Sequence, residues 1–401
     1  MAVTPATYEA IMKEVWTQDR LEKQFHDGDG VLDQIEKTDR HRVGDKALVP
    51  THMDRSGGYT VVPPQGSNTL NGGDKQKVDT ASYDYARHWF EIELDTAAIE
   101  RTSGNNLAVA SAMDTEVSGG VDDMRHNISA QVYGDGTGNL AQCGVTSAAN
   151  DVVLADAWAI ERGFLYPGQK VDIGTAADED SVANDRTITA VDPSVPSITV
   201  DGAAVTTAGT DFVSIANSRD GATFYGMNGL ANLVSDGAFG GLDSANYWRW
   251  QSAVDSTGGD VTLEKLLDIR TAITSARGNP DWNVMSPKQE NLFYLLLQQQ
   301  VRYGSDKGID GGNSETVKWS GMQIDPQVDC PDDVWYMLTK KNIFGVRIDK
   351  PYWVTQKYGG SILEYKQGTT FLVGASEYMI NLATNARSAH GKLTGLSTVA
   401  P

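Results

Sequence analysis

Long apolar runs, cysteine, histidine and basic charge are all scarce in this sequence, and each shortage closes off a class of function. No run of roughly 18 or more apolar residues exists, so no helical membrane span is expected. The N-terminus lacks a basic segment followed by an apolar one, so no secretory signal is visible. The two cysteines, Cys143 and Cys330, lie far apart and predict buried thiols, not a disulfide framework. Six histidines include no pair at metal-binding helical spacing. With 33 Lys and Arg against 53 Asp and Glu, the formal charge of −20 opposes gripping a phosphate backbone. It suits a soluble protein, and equally a wall that encloses nucleic acid without holding it.

Site motifs are missing too. Gly391-Lys392 has Ala386 where a phosphate loop needs its first glycine and Leu393 where it needs Ser or Thr. Gly134-Asp135-Gly136-Thr137-Gly138 follows a helical pattern instead of a strand and reads as a turn. Asp27-Gly28-Asp29-Gly30 puts Val31 where a calcium loop needs a ligand, and Asp306 to Asp310 offers Gly308 and Val317 at ligand positions. The acidic Asp178-Glu179-Asp180 reads as a solvated turn. No Gly-x-Ser-x-Gly elbow occurs, and neither cysteine lies in a nucleophile motif. No catalytic residue, cofactor or metal ligand is predicted, and the chain is not expected to be an enzyme.

What is present is a division of labour. Residues 7–25 form a narrow amphipathic stripe (Tyr8, Ile11, Met12, Val15, Trp16), too thin to fold alone. From Arg42 to Asp79 two extended segments, Ala47-Leu48-Val49-Pro50 and Tyr59-Thr60-Val61-Val62, are broken by Gly57-Gly58, Gly66 and Gly72-Gly73. Such arms would reach roughly 55 Å at ~3.3 Å per residue. Here basic residues (Arg42, Lys46, Arg55, Lys75, Lys77) outnumber acidic ones (Asp45, Asp54, Asp74, Asp79). On so acidic a chain, this arm is expected to dock on another subunit's acidic face and to add little to its own core.

Residues 88–94 alternate as a strand, with His88, Phe90, Ile92 and Leu94 on its buried face. Ala110, Met113, Val117, Val121, Met124, Ile128 and Val132 then predict a helix over about 105–133, bent at Gly119-Gly120. Four β-branched runs between 163 and 216 predict a small barrel or sandwich. Thr262 opens a helix with Leu263, Leu266, Leu267 and Ile273 inward. Trp282-Asn283-Val284-Met285 reads as a buried strand, and Ser286-Pro287-Lys288-Gln289 as a capping box. Strand-like segments recur at 334–338, 343–348, 352–355 and 370–373.

This succession resembles the major capsid proteins of tailed bacteriophages, which share the Hong Kong 97-type shell fold with encapsulins. Trp282 to Pro287 leading into a helix, then Gly321-Met322-Gln323-Ile324-Asp325 and Val334 to Leu338, are its best markers. The resemblance implies an α+β fold laid out as an N-terminal arm (1–41), an extended loop (42–79), a peripheral domain with a spine helix (80–162), a β-barrel-like insertion (163–216), an axial domain (217–338) and return strands of the peripheral domain (339–401). It implies pentamers and hexamers of this chain in an icosahedral shell around double-stranded DNA, assembled in the host cytoplasm. A separate scaffolding protein, a portal and decoration proteins would be its partners. No long charged helical region precedes the arm, so a fused scaffolding segment is not expected. An encapsulin-type shell around a protein cargo is the alternative; a surface β-rich binding protein and a hydrolase with a scattered site are weaker ones.

Overall fold

The computed structural model describes residues 30–62, 64, 72–73, 75–95, 106–176, 178–220, 223–298 and 318–399. The amphipathic 7–25 segment and the calcium-loop candidates within 27–30 (beyond Gly30 itself) and 306–310 lie outside them. The chain divides into two compact units: Met1–Asp39, Tyr85–Leu230 and Gly345–Leu382 in one, Arg40–Asp84, Ala231–Phe344 and Ala383–Pro401 in the other.

In the first unit, strand Ala86–Asp95 pairs antiparallel with Phe371–Thr384, in register from Ala86↔Ile380 to Asp95↔Phe371. Alternation holds: Arg87, Trp89, Glu91, Glu93 and Asp95 are exposed, while Ala86 and Ile92 are buried. The spine helix Asn106–Val132 follows, with Val117, Val121, Met124, Ile128 and Val132 buried at helical spacing. The helix is continuous through Gly119-Gly120, and Phe90 packs against Gly120. Tyr352-Trp353 is a two-residue strand, and the expected extension to Thr355 turns instead into the short helix Val354–Lys357.

The β-rich element starts earlier than expected. Strands Asn139–Gln142, Asp211–Ile215, Lys170–Thr175, Asp178–Asp192, Ser197–Val200 and Asp151–Val153 hydrogen-bond in that order. The two ends then meet: Gly144 N–H donates to Val153 O (2.7 Å) and Ala155 N–H to Gln142 O (2.9 Å), around a Cys143–Leu154 bridge. The sheet is therefore a closed barrel, which removes its edges. Leu140, Val152, Val171, Ile173, Ile188, Ile198, Val200 and Val213 fill it. Residues 139–151 are mostly small or polar, with Leu140 and Val145 their only large apolar side chains, so they do not read as strands; pairing at barrel closure makes them so. Asp178-Glu179-Asp180 begins the longest barrel strand and is no free turn. Both cysteines are buried, and neither is in a disulfide.

The second unit holds a six-stranded mixed sheet in the order Ala253–Asp255, Gly391–Leu393, Trp335–Leu338, Trp282–Met285, Met322–Pro326, Lys318–Trp319. Gly391–Leu393 inserts between two strands of this unit, so residues 383–401 do not return to the first unit as the 339–401 boundary implied. Helix Leu263–Ser275 is capped by the Thr262 hydroxyl, which accepts from Lys265 N–H. Leu266, Ile269 and Ile273 are buried, but Leu267 is 47% exposed, one position off the buried stripe. All four residues of Trp282–Met285 are buried. The capping box is half made: Ser286 Oγ accepts from Gln289 N–H (3.4 Å), while the Gln289 amide donates to Asp332 O and Ser397 O.

Candidate intersubunit interface

The arm begins as a hairpin. Strand Lys46–Asp54 pairs with Lys77–Asp84 from Lys46↔Asp84 to Asp54↔Lys77. Period-two alternation gives it two faces. Ala47, Val49, Thr51 and Met53 are buried on one strand, Ala81 and Tyr83 on the other. The hairpin base thus belongs to its own unit's core, contrary to the expectation that 42–79 adds little there. Three small or medium apolar residues at every second position suffice for one buried face.

Tyr83 anchors this base. Its hydroxyl donates to Thr384 O (2.9 Å), its ring meets Phe239 edge-on at 5.4 Å, and burial pushes its pKa up. Behind Phe239 lies Arg387, fully buried, its guanidinium 5.0 Å from that ring. Arg387 donates to the carbonyls of Asn232, Leu233, Gly237 and Trp250 and to Ser235 Oγ. Burial pulls its pKa down to about 10, which leaves it charged at neutral pH. Ser82 N–H donates to Gly240 O and the Tyr247 hydroxyl to Asp79. Sequence reading passed over Tyr83 and Arg387. The Ala81-x-Tyr83 alternation could have marked the tyrosine; nothing local marks a buried arginine.

The five basic arm residues do not converge. Arg42 and Lys75 are exposed, Arg55 follows the last paired position, Lys46 bridges Asp84 (3.1 Å) and Lys77 approaches Asp54 (3.8 Å). Two of them are thus neutralised within their own hairpin. What the arm presents instead is apolar: Tyr59 is 84% exposed, Val61 80% and Val78 59%. Tyr59, Val61 and Val62 are exposed within four consecutive residues, and neighbouring exposed apolar side chains of this kind mark interaction surfaces. Among the described residues, no group of three or more His, Cys, Asp or Glu could hold a metal ion, and no helix is long and apolar enough to cross a membrane.

No family model matches the sequence, and no curated protein does. Solved structures do match. A chain of the cyanophage A-1(L) capsid asymmetric unit aligns over 90% of this chain and 90% of its own, at 11% identity and a TM-score of 0.52. A capsid chain of a native GTA particle covers 92% and 91% at 8% identity and a TM-score of 0.47. The holo-SrpI encapsulin of Synechococcus elongatus covers 91% and 86% at 10% identity and 0.45. The fold argument rests on the cyanophage match, which covers nine-tenths of each chain. The chain has the α+β Hong Kong 97-type capsid fold.

Proposed function

We propose that this chain is a major capsid protein, the repeated subunit of a closed icosahedral shell around double-stranded DNA. The observation that carries the reading is an arm rooted in its own core by Tyr83 while Tyr59, Val61 and Val62 stand in solvent. Fully burying a valine-sized or larger side chain is worth about 1.5–3 kcal/mol, against about 0–1 for an exposed ion pair. The arm's grip on a neighbouring copy is therefore apolar first. The basic residues Arg42, Lys46, Arg55, Lys75 and Lys77 contribute register. The role is structural, with no chemistry assigned, and the partners are further copies in pentamers and hexamers, a separate scaffolding protein, a portal and decoration proteins. Its place is the virion shell, assembled in the host cytoplasm.

Negative-stain microscopy and light scattering of the purified chain, alone and co-produced with its neighbouring gene products, test this. Closed particles containing nuclease-protected DNA are expected. A chain that stays monomeric under all assembly conditions would overturn the reading, and particles holding protein but no nucleic acid would favour an encapsulin-type shell.

A further inference from the structure

A small cavity of ≈ 180 Å³ in the second unit has an unusual charge for this chain. It lies where the hairpin strand (Thr51, Met53), Arg249, the turn after helix Leu263–Ser275 (Arg277) and the 385–389 segment meet. Its lining includes two arginines and the amide or hydroxyl side chains of Asn342, Asn385 and Ser388, with no carboxylate. On a protein with 53 acidic residues, that local exclusion of negative charge points to a negative occupant.

A second observation concerns one of the lining residues. Arg249 Nε is buried and has no hydrogen-bond partner, although the guanidinium stacks 5.0 Å from the Trp248 ring. A buried charged donor left unmade is costly, so the geometry calls for an acceptor. The neighbouring helix C-terminus does not oppose one strongly. The carbonyls of Ala272, Ile273 and Thr274 are already taken by the N–H groups of Ala276, Gly278 and Arg277.

We infer that this cavity binds a phosphate group, held by Arg249 and Arg277 and oriented by Asn342, Asn385 and Ser388. The donor count selects phosphate over carboxylate: two guanidinium forks plus three neutral polar side chains exceed what two carboxylate oxygens accept, and match a tetrahedral anion with more acceptor oxygens. The source is either free inorganic phosphate or a nucleic-acid backbone, and the inference does not depend on the shell reading.

Titration of full-length, unassembled protein by calorimetry separates these. Inorganic phosphate, a short single-stranded oligonucleotide and sodium acetate serve as probes at one ionic strength. Saturable binding of phosphate or of the oligonucleotide is expected, weakened about tenfold or more in Arg249→Gln and in Arg277→Gln, because each removes a charge-assisted hydrogen bond. Lys341→Gln, an exposed cation outside the cavity, should bind as the unmodified chain does. Tighter binding of the oligonucleotide names the backbone as the source, and tighter binding of inorganic phosphate names the free ion. Acetate binding as tight as phosphate, no saturable binding by either phosphate probe, or equal affinity in both arginine variants and the unmodified chain would overturn the inference. Circular dichroism of each variant confirms that a lost signal is not lost folding; should either variant fail to fold, Arg249→Lys and Arg277→Lys, which keep the charge but lose the fork, should show the same weakening.

Discussion

The ring of Phe90 occupies the space in which a Cβ on Gly120 would stand, so the spine helix and strand Ala86–Asp95 approach at a contact only glycine allows. Phe90 in turn lies 6.4 Å from the Trp353 ring, which limits its retreat. Gly119, one residue earlier, is exposed with open space at its Cβ position. Adjacent glycines should therefore respond oppositely to alanine. Gly119→Ala should stabilise by about 0.5–1 kcal/mol through helix propensity. Gly120→Ala should cost about 1–3 kcal/mol through overpacking, after the same propensity gain is counted. Urea midpoints of unassembled subunits measure both, and a stabilising Gly120→Ala would refute the contact.

Acid should expose a second relationship. His390 is fully buried; Nδ1 accepts from Thr339 N–H (3.2 Å) and Nε2 lies 3.1 Å from Thr384 Oγ1, whose own proton goes to Asn342 O. This makes the neutral Nε2–H tautomer the one that fits. Burial first, and the Arg387 charge second, pull its pKa down to about 3; burial alone takes His88 down to about 4. Unfolded histidine titrates near 6.5. Between these values the unfolded chain binds protons that the folded chain refuses, so stability must fall as pH drops from about 6.5 toward 3. Unfolding free energy against pH for the native chain and His390→Gln should differ in slope by about one proton over that window. Parallel curves would show that His390 is not buried neutral.

The barrel supplies a third test. Because Gly144 and Ala155 close it onto Val153 and Gln142, a fragment of 163–216 alone leaves strands Asp211–Ile215 and Ser197–Val200 each short of one neighbour, with the barrel open. That fragment should be largely unstructured by circular dichroism. A fragment of about 137–219, which brings both closing strands, should give a β-type spectrum with a cooperative melt. A folded 163–216 piece would mean that closure is dispensable.

Strong local patterns were legible in the sequence. The alternation of 88–94, the spine stripe from Val117 to Val132, the Thr262 cap and the buried Trp282–Met285 strand each rest on neighbours a few residues away, and each stands where its pattern put it. What stayed hidden depends on distant partners. Asn139–Gln142 becomes a strand only beside 211–215, and Gly391–Leu393 only between 253–255 and 335–338. The basic arm misled for the same reason: Lys46 and Lys77 face Asp84 and Asp54 across their own hairpin, a pairing visible only once the register is known.

That register decides how the arm can be cut. Removing 45–75 would delete strand Lys46–Asp54 together with buried Ala47, Val49 and Met53, and would leave Tyr83 on an unpaired strand. Each lost apolar side chain of this kind costs about 1–4 kcal/mol, so that deletion should unfold the second unit. Removing only 57–75 and joining Ser56 to Gln76 through a short Gly-Ser linker keeps the Asp54↔Lys77 pair and the whole hairpin base. It discards Tyr59, Val61 and Val62, which are exposed in the subunit. The short deletion should therefore melt within a few degrees of the native chain yet fail to close shells, while the long one precipitates or unfolds. In the native protein, limited proteolysis should nick residues 57–75 in free subunits and spare them in particles. Normal shells from the short deletion would show that the exposed apolar arm is not what joins subunits, and a large fall in its melting temperature would show that the arm beyond the hairpin supports its own fold.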